Sequence, residues 1–107
     1  MNTLRLNFAV LTLVLSASVF AQATFGNFDC AQWVNDQGKD RTQNRAWFIG
    51  YLSGLNVGFN ANSGKDQIRK LSSPDQAMLW MDNYCRTNPL NKIRSGAEAL
   101  YIELERR

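Results

Sequence analysis

Histidine is absent from this 107-residue sequence, and cysteine and proline occur only twice each. Without histidine, Ser-His-Asp and Cys-His catalytic arrangements, HExxH zinc sites and histidine pH switches are all excluded. Two cysteines alone cannot build a four-ligand structural zinc site, and no DxDxDG-type spacing suggests a calcium loop. Single-sign charge is also scarce: 12 Lys+Arg stand against 9 Asp+Glu. The basic residues (Lys39, Arg41, Arg45, Lys65, Arg69, Lys70, Arg86, Lys92, Arg94, Arg106 and Arg107) are scattered rather than gathered into a phosphate-tracking stripe. Nucleic acid is therefore not an expected partner. What remains, 45% hydrophobic and 20% charged residues, suits one small globular domain and no low-complexity segment.

The beginning of the chain carries one positive charge, Arg5, then an apolar run from Phe8 to Phe20 broken only by Thr12, Ser16 and Ser18, then Ala21-Gln22-Ala23. This is the pattern of a secretory signal peptide cleaved after Ala23. The run is too short for a membrane-spanning helix, which needs about 20 apolar residues, and no later segment is apolar enough to span. The expected mature chain is residues 24–107, exported to the periplasm or outside the cell. Loss of Arg5 lowers its formal charge from +3 to +2.

A chain of this size buries only about 60 to 65% of its unfolded surface and benefits from a covalent staple. Cys30 and Cys85 are the only cysteines, and an exported compartment permits oxidation, so a bridge between them is the expectation and two buried free thiols the alternative. Four helical stretches and no alternating strand predict an all-α fold, a compact bundle of about four helices. Asn27 or Asp29 caps a short first helix over Cys30, Trp33, Val34 and Gln37, which Gly38 ends. A polar connection, Lys39 to Thr42, leads to a central helix from Arg45 to Phe59. Asn60 to Ser72 is polar and loop-like, with Ile68 and Leu71 as anchors. Ser73, Pro74 and Gln76 form an S-x-x-Q capping box for the third helix, which Asn88-Pro89 stops. The same pair is expected to open the last helix, whose apolar face is Leu90, Ile93, Ala97, Leu100, Tyr101 and Leu104.

Two features invite a functional reading. Ala46, Gly50, Gly54 and Gly58 fall four apart along the central helix. Glycine costs about 1 kcal/mol against alanine inside a helix, so the stripe calls for close packing. A neighbouring helix of the same domain is the expected occupant, with a second copy in a homodimer or a ligand as the alternative. Trp80 lies one residue step off the Ala77, Met81, Tyr84, Cys85 face and is expected to be partly exposed, as a protein-contact residue would be. Among the carboxylates, Asp82 is the one candidate for acid-base chemistry. None of the nine is marked by context, and no enzyme activity and no cofactor are expected.

The segments Phe28-Asp29-Cys30-Ala31-Gln32-Trp33, Trp47-Phe48-Ile49-Gly50-Tyr51-Leu52-Ser53-Gly54 and Tyr84-Cys85-Arg86-Thr87-Asn88-Pro89, behind an export signal, resemble the HdeA/HdeB family of small bacterial periplasmic proteins. The resemblance implies a compact helical domain with one disulfide. It also implies an acid-stress chaperone that loosens at low pH and offers apolar surface to unfolded client proteins. Protonating the nine carboxylates would carry the mature chain from +2 to about +11, which permits such loosening. Gly50-Tyr51-x-x-Gly54, the stretch from Gln76 to Asn88-Pro89, and Gly96-Ala97-x-x-Leu100 are also similar to periplasmic immunity proteins of type VI secretion amidase effectors. Those proteins block a cell-wall hydrolase. The likeness is less complete there, because Phe48 and Ser73 stand where that family tends to carry cysteine.

Overall fold

A computed structural model describes residues 25–107; the signal-peptide segment and its cleavage site lie outside the described residues. Four α-helices follow in order: α1 (Cys30–Asn35), α2 (Gly38–Ser63), α3 (Pro74–Thr87) and α4 (Ile93–Arg106), with a 3-10 turn at Ile68–Lys70 between α2 and α3. The fold is all-α. Among the described residues the only extended pairing is an isolated bridge between Asp29 and Lys92.

α1 begins on a reciprocal capping box. The Asp29 carboxylate accepts from the Gln32 backbone N–H at 2.8 Å, and the Gln32 side chain accepts from the Asp29 N–H at 3.0 Å. Asn27 caps a different helix, accepting from the Arg94 N–H at 3.2 Å. With Ile93 N–H donating to Phe28 O and Cys30 N–H to Asn91 O, residues 27–30 satisfy orphan donors at the start of α4 and clamp that end.

Gly38 does not simply end α1. At φ +57° it reverses the chain within two residues and is itself the first residue of α2. The expected polar connection Lys39 to Thr42 is thus helical: polar side chains on an exposed turn do not oppose a helix, and Asp40 lies favourably at its positive end. α2 runs on past Phe59 to Ser63, where Gly64, at φ +71°, terminates it with its N–H on Asn60 O.

The capping of α3 also departs from expectation. Pro74 occupies the first turn, but the Ser73 hydroxyl makes no capping bond. Gln76 reaches one residue further back, accepting from the Ser72 N–H at 2.7 Å. Asn88 ends α3, and Pro89 sits second in a turn closed by Asn91 N–H on Asn88 O, so the pair does not open α4. Leu90, assigned to the apolar face of the last helix, is instead 94% exposed, because the clamp on residues 27–30 delays α4 until Ile93.

The core is built from Phe28, Trp33, Phe48, Leu52, Met81, Ile93, Leu100 and Leu104 around the disulfide. Cys30 and Cys85 are bridged, tying the start of α1 to the last turns of α3 across 55 residues of sequence. In the chain-entropy account a loop of that length contributes about 4 kcal/mol. Trp33 meets Phe48 edge-on at 5.4 Å between centroids, and Phe59 stacks on Tyr101 at 5.2 Å, joining α1 to the middle of α2 and α4 to its last turns. α3 and α4 pack tightly at Gly96, where a Cβ would stand 2.7 Å from the Met81 thioether.

Candidate protein-contact surfaces

Three carboxylates act as clasps between helices. Asp82 accepts from Trp33 Nε1 at 2.7 Å and lies 3.8 Å from the Arg45 guanidinium. Glu98 accepts from Tyr51 Oη at 2.7 Å and from Arg94 Nε at 2.9 Å. Glu103 accepts from Trp80 Nε1 at 2.8 Å. Each clasp joins two helices through the polar end of an aromatic side chain: α1 to α3, α2 to α4, and α3 to α4. Asp36, whose side chain is only 4% exposed, takes Arg45 at 3.0 Å and Asn44 at 2.8 Å. Arg45 also lies over the Trp33 ring, 4.0 Å from its centroid. Among the described residues no group of three or more His, Cys, Asp or Glu could hold a metal ion.

Titration behaviour follows from these contacts. Burial, then the Glu98 carboxylate as hydrogen-bond partner and neighbouring charge, raises the Tyr51 phenol above its ordinary value. Burial, with Glu105 and Asp66 nearby, does the same at Tyr101. Arg94 is raised chiefly by its bond to Glu98.

The expected packing of a helix of the same domain into the small-residue stripe is overturned. Ala46, Gly50, Gly54 and Gly58 are all exposed, and a Cβ on any of the three glycines would meet nothing within 4 Å. α2 buries the other side, through Phe48, Leu52 and Asn56. The stripe therefore faces out, together with Ser53, Val57 and Ala61, and no charged residue occurs between Arg45 and Lys65. Beside it runs an apolar groove of about 270 Å³ between α2 and the start of α3, lined by Ile49, Leu52, Ser53, Ile68, Leu71 and Ala77 among others. Trp80 is half-buried, as its position off the face suggests, but it lies apart from this face, beside α4 and Lys70, with its ring stacked on Tyr84 at 5.3 Å.

Two residues that organise the surface carried little signal in the sequence. Asn56, on the buried side of α2, accepts from the Gln67 and Ile68 N–H groups at 2.9 and 3.2 Å and donates to Asp66 at 2.9 Å, holding the 64–70 segment on the helix. Its sign was a lone amide one turn after Leu52 on an apolar face. Lys70 donates to the carbonyls of Leu104 and Arg107, each at 2.6 Å, and so caps the end of α4.

Comparison with protein-family models, with curated proteins and with solved structures gives no significant match. Among the described residues no helix is long and apolar enough to cross a membrane.

Proposed function

We propose that this is an exported, periplasmic, non-enzymatic protein that acts through protein contacts in the manner of the HdeA/HdeB family, loosening in acid to hold unfolded clients. The observation that carries the reading is the set of three clasps Trp33–Asp82, Tyr51–Glu98 and Trp80–Glu103. Hydrogen bonds to an ionised acceptor are roughly twice as strong as neutral ones. Protonation weakens all three joints together while adding positive charge throughout the domain. The Cys30–Cys85 bridge survives acid, so α1 stays tethered to α3 while the aromatic core between the helices opens. The test is an acid titration of the mature oxidised protein from pH 7 to pH 2, reading near-UV circular dichroism, binding of an apolar dye, and aggregation of an unrelated acid-sensitive protein. Loss of tertiary signal with dye binding and a soluble client is the expected result. A protein that keeps its tertiary signal and protects nothing overturns the reading.

A second reading rests on a different observation. The outward face of α2 is uncharged, built of small residues and already formed in the folded state, as a surface for one folded partner would be. In this reading the protein is an immunity protein that blocks a secreted cell-wall amidase at neutral pH. Inhibition of a purified amidase effector, relieved by Gly54→Arg, is its signature; unchanged inhibition by that variant removes the α2 face from the account.

A further inference from the structure

On the side of the molecule where α1, α2 and α3 meet, a pocket of about 200 Å³ is lined by Trp33, Val34, Arg41, Arg45, Asp82 and Arg86. Arg41 and Arg45 lie one turn apart on α2, and Asp82 and Arg86 one turn apart on α3, so each of these two walls ends in an arginine. The charges within it are unevenly spent. Arg45 is held by both oxygens of the buried Asp36 carboxylate and lies on the Trp33 ring. Asp82 is engaged by the Trp33 indole N–H, with Arg45 at 3.8 Å. Neither acid is committed to the outer arginines. The Arg86 guanidinium donates only to the neutral Asn83 side chain, at 3.1 Å, and the Arg41 guanidinium makes no hydrogen bond or ion pair among the described residues. Two exposed guanidiniums thus border one concavity with no carboxylate assigned to either.

We propose that this pocket is an oxyanion-binding site in which Arg41 and Arg86 clamp a carboxylate or phosphate group over the Trp33–Arg45 floor. Guanidinium groups present planar pairs of N–H donors matched to such oxygens. An anion between the walls also relieves the repulsion of two like charges, while the paired floor orients the indole and supplies an apolar edge. The source of the oxyanion is either a free small ion or a carboxylate on another protein. The site belongs to the folded protein at neutral pH, so it stands or falls independently of the acid response proposed above.

The test is a nuclear magnetic resonance titration of the mature oxidised protein at pH 7 and constant ionic strength. One arm uses sodium phosphate; the other uses an acetylated dipeptide with a free terminal carboxylate, with the dipeptide amide as control. The expected result is saturable movement of the Trp33 indole N–H and of the backbone around Arg41 and Arg86, half complete on the order of 1 mM for so small a ligand. Arg41→Gln and Arg86→Gln should each weaken it by about tenfold, the loss of one charge-assisted contact, while Lys65→Gln leaves it unchanged. Neither outer arginine holds another element in place, so both variants should keep the wild-type fold. Tighter binding of phosphate than of the dipeptide assigns a free oxyanion; the reverse, with the amide inert, assigns a protein carboxylate. Shifts that stay linear with concentration in both arms, or that survive both arginine substitutions, overturn the proposal.

Discussion

The indole N–H of Trp33 donates to the Asp82 carboxylate at 2.7 Å, and this bond ties α1 to α3 on the same pair of helices that Cys30–Cys85 staples. Trp33 is fully buried, so its N–H has no water to fall back on. Asp82→Ala should therefore cost about 1 to 3 kcal/mol in urea unfolding at pH 7, the penalty for an orphaned buried donor. Asp82→Asn keeps an acceptor and loses only its charge, so it should cost less. Urea unfolding of the two variants side by side at pH 7 is the check, and equal costs for Asp82→Ala and Asp82→Asn would show that a neutral acceptor cannot hold the indole N–H.

Glycine spacing and glycine packing point to different residues. At Gly96 a Cβ would approach Met81 Cε and Sδ at 2.7 Å and Tyr84 Cδ1 at 2.9 Å, so Gly96→Ala should displace the buried Met81 side chain and the Tyr84 ring at a cost of about 1 to 3 kcal/mol. Gly54→Ala meets open space and gains helix propensity, so it should stabilise the fold by up to about 1 kcal/mol. Thermal melting of the two variants side by side is the check. A destabilised Gly54→Ala would show that the α2 face is covered in solution.

What the sequence revealed and what it hid divide along a physical line. The all-α class, the staple and the face of α4 from Ile93 to Leu104 were legible because periodicity and cysteine count are properties of the chain alone. The glycine stripe was read correctly as one face, but spacing says which residues share a face and not whether anything lies upon it. Gly96 belongs to no run of glycines and became visible only through Met81. Leu90 fits the last helix by spacing and is excluded by residues 27–30, sixty or more positions away. Asn91 and Ile93 give their backbone groups to that segment. The floor of the arginine pocket was hidden for the same reason, since Trp33, Arg45 and Asp82 are distant in sequence.

The tyrosines report on the alkaline side. Tyr51 and Tyr101 both have phenol values raised in the folded state. For a group whose folded value lies above its unfolded one, the stabilisation is complete below the unfolded value and is lost as pH rises through the folded one. These two residues should therefore leave stability unchanged at neutral pH and withdraw it above the ordinary phenol range, about 10. Titration of the tyrosinate absorbance should show two phenols ionising late, and Tyr51→Phe should remove one of them. Ionisation of all three tyrosines of the chain at the ordinary value would contradict the contacts of Tyr51 with Glu98 and the burial of Tyr101.

The segment after α2 depends on one side chain. Asn56 supplies the acceptor for two backbone N–H groups, at Gln67 and Ile68, and Gln67 is itself buried. Removing the amide leaves donors without partners in a place water reaches poorly, so Asn56→Ala should cost about 2 to 3 kcal/mol. Asn56→Asp keeps the acceptor oxygens but replaces the donor to Asp66 with a second carboxylate, and the two like charges should make it no better than alanine at pH 7. The local consequence is separable from the global one. With residues 64–70 released, Ile68 and Leu71 leave the apolar groove, and limited proteolysis should cut at Lys65, Arg69 or Lys70 before the helices melt. Cleavage there at the wild-type rate in Asn56→Ala would show that Ile68, Leu71 and the Lys70 bonds to the end of α4 hold the 3-10 turn without the amide.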